Sequence, residues 1–318
     1  MKIYVECFGA TDVGQRRETN EDQYLIAELN GSMKIHHTSV PIDDCSTVFG
    51  CSQGHLFLVA DGVGGHAAGE RASALAISAV SAYALNGLQW LAHAENAEED
   101  ISDQLQQIAH ECQKRLIQSA RQHPNEQGMA TTLTLAIVMW PNLYVMHIGD
   151  SRCYLIRDGE LEQLTRDHTL GQLYADCSDD PATAERANHV LWNVVSTDGE
   201  TTPVADVIQR KLTAGDQLLL CTDGLSDLVE TSEFTHIMVG NTAQEACKRL
   251  VALANSRGGK DNITVVTSRF KSVAQETKEA AMVEIRVPLE EMIATSEEQA
   301  ELADTDEVVV ADLNHPAR

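Results

Sequence analysis

Apolar and polar positions alternate along the chain in two rhythms, one of period two and one close to 3.6. The run His55-Leu-Phe-Leu-Val-Ala-Asp61 is almost continuously apolar and stops at Asp-Gly, which predicts a buried strand followed by a tight turn. From residue 70 to about 91 the chain is rich in Ala and Leu, and Ala74, Leu75, Ile77, Ala79 and Val80 predict a helix packed on a core. A second helix is predicted over 101–122, with Leu105, Ile108, Ala109, Cys112, Leu116 and Ile117 on one face; it stops at His123-Pro124, because proline lacks a donor and keeps its predecessor out of helical geometry.

Strands are predicted next over 131–140, 143–148 and 152–157, separated by Pro141-Asn142 and Gly149-Asp150 and followed by an Asp158-Gly159 hairpin turn. Such short turns imply antiparallel pairing of consecutive strands. Two later strands, over 217–222 and 262–270, flank an amphipathic helix near 242–255. The order of elements predicts an α+β domain, with sheet packed on sheet and helices outside. Residues 30–54 read as a long hairpin excursion ahead of the His55 strand.

Composition sharpens this picture. Of 318 residues, 48 are Asp or Glu and 23 are Lys or Arg, a net charge of −25. Nucleic-acid phosphates and anionic membranes are poor partners for such a body. From Lys271 onward twelve acidic residues face four basic ones, a net −8, so 1–270 is expected to be the domain and 271–318 an acidic, flexible tail. The eight cysteines form no Cys-x-x-Cys pair, no run of about 18 apolar residues occurs, and the N-terminus lacks a signal-peptide pattern. A cytoplasmic protein with reduced thiols is expected, neither membrane-bound nor nucleic-acid-binding.

The carboxylates carry the chemistry. Asn20-Glu21-Asp22, Asp61-Gly62, Asp223-Gly224 with Asp227, and Asp261-Asn262 stand at strand ends or turns. Asp61, Asp223 and Asp261 adjoin apolar strands, where an isolated charge is costly, and all-oxygen ligands suit Mg2+ or Mn2+. A single Asp-Gly is ordinarily a turn, as Asp158-Gly159 illustrates; two Asp-Gly pairs and Asp261-Asn262, all at strand ends, shift the balance toward a metal site. Asp150 is either a bend between strands or a further carboxylate of the same site. Other chemistries lack their residues: no cysteine is followed by Arg six positions on, no Gly-x-Ser-x-Gly or phosphate-binding Gly-Lys loop occurs, and His110-Glu111 has Lys at 114 instead of a second zinc-binding His.

Seven segments in order now resemble one family. They are Thr11-Asp12-Val13-Gly14 with Arg17 and Asn20-Glu21-Asp22; Val59-Ala60-Asp61-Gly62 with Gly64-Gly65-His66 and Gly69-Glu70; Gly128-Met129-Ala130-Thr131-Thr132; His147-Ile148-Gly149-Asp150-Ser151-Arg152; Leu164-Thr165 with Asp167-His168; Cys221-Thr222-Asp223-Gly224-Leu225 with Asp227; and Gly259 with Asp261-Asn262-Ile263-Thr264. Over about residues 8–270 the chain resembles the metal-dependent Ser/Thr protein phosphatases of type 2C (PPM) in their bacterial form.

That resemblance implies a four-layer αββα sandwich with the metal site at one end. It implies that Asp61 bridges two Mn2+ or Mg2+ ions, completed by the Gly62 carbonyl, Asp223 and Asp261, with Glu21 and Asp22 acting from behind through water. Arg17 would clamp phosphoryl oxygens, and Asp150 with Asp223 or Asp227 would hold a third ion. The implied reaction is hydrolysis of phosphoserine and phosphothreonine on proteins by a water bridging two cations. The expected protein is a monomeric signalling hydrolase that opposes a bacterial Ser/Thr kinase. A histidine that follows Asp-Gly in eukaryotic members is replaced by Val63, so the resemblance implies a metal-bound water as the proton donor, with His66 only a weak candidate and read rather as structural. The flap after His168 departs from the family pattern, reading His189-Val190-Leu191-Trp192-Asn193. Two other classes, a non-catalytic phosphoprotein-binding module and a hydrolase of small phosphate esters, predict lost ligands and a preference for nucleotide or sugar phosphates respectively.

Overall fold

The structure, a computed structural model, describes residues 3–30, 33–38, 53–63, 67–87, 98–177, 181–198 and 202–272. In chain order, β1 (Ile3–Asp12), β2 (Gln23–Asn30), β3 (Met33–Thr38), β4 (Gln53–Ala60) and β5 (Gly62–Val63) precede α1 (Ala67–Gly87) and α2 (Glu98–Gln122). Then come β6 (Ala130–Thr131), β7 (Leu133–Met139), β8 (Asn142–Ile148), β9 (Arg152–Arg157) and β10 (Glu160–Gln163). After α3 (Leu170–Cys177) and α4 (Pro181–Arg186) the chain continues through β11 (Val195–Ser196), β12 (Asp206–Lys211), β13 (Gln217–Cys221), α5 (Asp223–Ser226), α6 (Thr231–Met238), α7 (Ala243–Ser256) and β14 (Ile263–Ser272).

Two antiparallel sheets carry the fold. One has the order β12-β8-β7-β4-β2-β3, the other β1-β14-β13-β9-β10, and β11-β6-β5 forms a small third sheet. Period-two alternation on doubly buried strands stacks the layers. Leu25 and Ala27 of β2, and Leu56 and Leu58 of β4, face α1 and α2. Their neighbours Tyr24, Ile26, Phe57 and Val59 meet Leu218, Leu220 and Val266 of the second sheet. Leu219 and Cys221 on the opposite face of β13 pack on Phe234 of α6 and Ala246 and Leu250 of α7. The four-layer αββα order is therefore written in which alternate residue goes to which core.

Local signals act as expected at several points. Asp158 and Gly159 adopt positive φ (52° and 82°) in the two-residue turn that pairs Arg157 with Glu160. Thr242 caps α7 by accepting the Glu245 N–H, and the Glu245 carboxylate returns to the Thr242 N–H in a capping box.

Two expectations change, and a third is met where it can be followed. The 143–148 and 152–157 strands do not pair: β8 lies in the six-stranded sheet and β9 in the five-stranded one, so the Gly149-Asp150 turn crosses between sheets. The 131–140 strand breaks at Thr132 into β6, in the small sheet, and β7. Within the 30–54 excursion, β3 adds an edge strand to β2; residues 39–52 and the tail from 273 onward lie outside the described residues.

Candidate metal centre

Register alone gathers the carboxylates. In the five-stranded sheet Ile263 pairs with Asp12, Val265 with Cys221, and Cys221 with Arg152, so Asp223, Asp261 and Asp150 leave from the same end. In the six-stranded sheet Gln23 pairs with Ala60, Val59 with Thr134, and Leu133 with Ile148, which puts Asp22, Asp61 and again Asp150 at one end. The Gly149–Ser151 crossing joins those two ends. A direct bond closes the gap: the Thr222 hydroxyl donates to Asp22 Oδ2 at 2.8 Å, across 200 residues of sequence.

Small polar side chains hold the loops in place. Asn262 Oδ1 accepts the Glu21 N–H (2.8 Å), while its Nδ2 donates to the Val13 and Thr19 carbonyls (3.0 and 2.9 Å), pinning both ends of the loop that carries Arg17. Thr132 accepts the Asp61 N–H on its hydroxyl oxygen (2.9 Å), donates its own N–H to the Asp61 carbonyl (2.9 Å), and meets the Ser151 hydroxyl at 2.7 Å. It ties the Asp61 turn to the Asp150 turn. Asn262 and Thr132 stand in the shared motifs, but motif membership alone does not show these bracing roles. Gly62 is fixed by crowding, since a Cβ there would lie 2.2 Å from the Gly69 carbonyl oxygen and 2.7 Å from that of Glu21.

Burial and mutual repulsion dominate the electrostatics. Burial pushes the Asp22 carboxyl up to about 7, with bonds from Thr222 and Thr264 opposing and Asp223 and Asp261 adding to the rise. Asp61 lies well above the carboxylate range through burial, then through Asp22, Asp223, Asp150 and Asp261. Burial, Asp223, Asp167 and Asp227 push Asp150 to about 8, and burial with Asp261 and Asp227 pushes Asp223 to about 6. Asp227 is also raised, first by burial. Each carboxylate appears among the causes of another's shift, which marks one coupled cluster.

The predicted residues do not all stand alike. Arg17 is half exposed (51%) and its Nη2 donates to Asp261 Oδ2 at 2.6 Å, a bond that raises the guanidinium pKa. The Glu21 carbonyl accepts the Ser73 hydroxyl (2.6 Å) and its carboxylate packs against Gly69, so this residue braces α1. Asp227 donates its N–H to the Asp223 carbonyl (2.8 Å), and its carboxylate lies 3.9 Å from His189 Nδ1. Residues 64–66, including His66, lie outside the described residues.

The cluster fits hard divalent cations. Asp22 Oδ1 and Asp223 Oδ1 are buried without a hydrogen-bond partner, the donors are all oxygen, and the negative charge greatly exceeds that of Arg17. Buried ionised oxygens need such compensation. Among the described residues no three or more His, Cys, Asp or Glu side chains are gathered closely enough to hold a metal ion as they stand. Four of the carboxylates, Asp150, Asp223, Asp227 and Asp261, line a cavity of about 570 Å3 together with Gln172, Asn188 and His189, whereas Asp22 and Asp61 are not among its lining residues.

Comparison with known proteins bears on the family and the fold. The protein phosphatase 2C family matches residues 30–253. The serine/threonine protein phosphatase PstP of Mycobacterium tuberculosis is 37% identical over 219 residues, 67% of this chain; the match spans 40% of that relative's length. The serine/threonine phosphatase stp of Listeria innocua is 30% identical over 260 residues, covering 80% of this chain and 92% of the relative. Among solved structures, the catalytic domain of PstP in complex with two manganese ions superposes with a TM-score of 0.65 at 30% identity, covering 85% of this chain and 100% of that one.

Proposed function

The chain belongs to the protein phosphatase 2C family, and from that premise we propose that it hydrolyses phosphoserine and phosphothreonine on proteins with two, or with a third site three, Mn2+ or Mg2+ ions. The observation that carries the reading is the buried, uncompensated carboxylate cluster that borders an open cavity beside a half-exposed arginine. Asp61, Asp223, Asp261 and the Gly62 carbonyl would hold two cations, and Asp150 with Asp223 or Asp227 a third. When bound, divalent cations supply Lewis acidity, which acidifies water and offsets charge on phosphoryl oxygens.

The chain's own groups do the rest. Arg17 is half exposed and is held by Asp261 at 2.6 Å. Its planar guanidinium can grip a phosphoryl group through two N–H donors. Asp22, fixed by Thr222, orients the floor of the centre from behind. The cavity is larger than a phosphoryl group needs, which supports a substrate with polypeptide on either side of the phosphoresidue.

Such a substrate exists only where a kinase has esterified Ser or Thr, so the protein works opposite a Ser/Thr kinase in signalling. The cytoplasm is the proposed compartment: the six cysteines among the described residues are free thiols, as a reducing environment favours. Among the described residues no helix is long and apolar enough to cross a membrane. The test is phosphate release from a phosphothreonine peptide, measured with Mn2+, with EDTA, and with Asp223→Ala. Turnover requires Mn2+ and is lost in the variant; activity that survives EDTA, or is unchanged by Asp223→Ala, would sink the proposal.

A further inference from the structure

His168 is buried, and it fastens the 169–193 segment to the body at several points. Its N–H donates to the Gly149 carbonyl (2.7 Å), its carbonyl accepts the Trp192 N–H (3.0 Å), and the Leu170 N–H donates to the Val190 carbonyl (2.7 Å), so the two ends of the segment are zipped together at its base. The imidazole lies between the rings of His147 (4.8 Å between centroids) and Trp192 (5.0 Å).

Its tautomer can be read from its partners. The Gly149 N–H points at His168 Nδ1 (3.2 Å), and a backbone N–H can only donate. Asn193 Oδ1 accepts the Val204 N–H and Asn193 Nδ2 donates to the Val204 carbonyl, which fixes the amide so that Nδ2 also donates to His168 Nδ1 (2.8 Å). With two donors on Nδ1, the ring proton sits on Nε2, which donates to Asp206 Oδ2 (3.1 Å). One neutral imidazole thus joins the Gly149 turn, the exit of the 169–193 segment and the start of β12.

We propose that His168 is a positioning residue for the reaction: its Nε2–H tautomer locks the 169–193 wall of the cavity, with Gln172, Asn188 and His189, to the Gly149 turn that carries Asp150. Both backbone groups of Gly149 are spent on His168, so wall and floor move together or not at all. The proposal rests on the phosphatase reading for its kinetic consequence, but not for its structural one.

The two amide replacements of histidine separate the two ring nitrogens. His168→Asn places an acceptor where Nδ1 stands and gives up the bond to Asp206. His168→Gln reaches Asp206 with a donor and leaves the Gly149 N–H and the Asn193 amide unmet. Trypsin cleavage after the exposed Arg186 reports opening of the segment without any turnover. His168→Gln, and independently Asn193→Ala, speed that cleavage at least about tenfold, since tenfold is the effect of losing a single buried hydrogen bond and each variant loses more than one. With Mn2+, His168→Gln raises KM for a phosphothreonine peptide about tenfold and that for p-nitrophenyl phosphate less than about threefold, because only the peptide needs the wall. His168→Asn stays within about threefold of wild type in both assays. The lock is overturned if His168→Asn is as impaired as His168→Gln, or if His168→Gln changes neither cleavage nor the ratio of KM values. Should the wild-type protein not turn over the peptide at all, the phosphatase reading fails, and the cleavage rates still decide on the lock.

Discussion

Replacing Asp22 with Asn stabilises the metal-free protein at pH 8 and not at pH 4. Asp22 is 1% exposed, its Oδ2 accepts from Thr222, and its Oδ1 has no partner. Burial holds its carboxyl near 7 against 3.8 ordinarily. The folded state therefore keeps a proton that the unfolded chain releases from 3.8 upward; stability falls as pH rises between those values, and the penalty is complete above 7. A rise of that size corresponds to about 4 kcal/mol, shared with the neighbouring carboxylates, so about 2–4 kcal/mol is recoverable by removing this one charge. For a domain of this size that is about 5–10 °C in Tm. Thermal melts in EDTA at pH 8 show the gain, melts at pH 4 do not, and Mn2+ at pH 8 shrinks it, because a bound cation supplies the counter-charge that Asn makes unnecessary. Equal Tm values at pH 8, or the same change at both pH values, would refute the reasoning.

Arg17→Ala lowers kcat/KM for a phosphothreonine peptide by about 10²-fold, as expected for a donor to transition-state charge, while the half-exposed pair with Asp261 is worth less than about 1 kcal/mol of stability; a fall under about threefold removes Arg17 from phosphoryl binding. Burial holds His147 down at about 3, with its Nε2 donating to the Arg166 carbonyl, so the fold loses stability as pH drops from 6.5 toward 3. In urea melts at pH 7 and pH 4.5, His147→Gln is about 2–3 kcal/mol less sensitive to that drop than wild type, and parallel pH dependences would show that His147 does not carry it. The protein ending at Ser272 keeps its Tm and its turnover, since β14 is complete there with its pairing to both β1 and β13; a large loss of either makes residues 273–318 part of the domain.

How much of this the sequence could show depended on the length over which each signal runs. The cores of β4, β7, β13 and β14 and both long helices stand out because period and burial persist for many residues. The Gly149-Asp150 crossing was invisible for the opposite reason: a two-residue turn between apolar strands looks like a hairpin whether or not the strands pair. Only the core assignments separate the cases, with Ile148 buried on the α1 and α2 side and Cys153 between the sheets. The α3 helix has eight residues and sets Leu170, Leu173, Tyr174 and Cys177 at helical spacing, but Leu173 and Tyr174 are exposed and Gln172 lines the cavity, so the stripe does not mark a core; α4, of six residues, is too short to carry one. The half-buried, charged edge strand β12 and the two-residue strands β5, β6 and β11 fall below any periodicity.

The carboxylates were legible for a different reason, because they break a rule. Charged residues at the ends of strands buried on both faces are costly, and a sequence that needed only stability would place amides or hydroxyls there. This fold does use such groups around the centre: Thr132, Thr222, Thr264 and Asn262 are buried and their polar groups are hydrogen-bonded. The conflict is concentrated in Asp22, Asp61, Asp150, Asp223 and Asp227, each raised by burial and by neighbouring carboxylates. A stable scaffold holding one uncompensated cluster is arranged to receive positive charge. The net −25 of the whole chain obscures this, since dispersed surface carboxylates and the acidic stretch after residue 270 contribute most of it without bearing on the centre. What identifies the site is where the negative charge is buried and left without partners, and that is a property of register, which brings four turns from two sheets to one end.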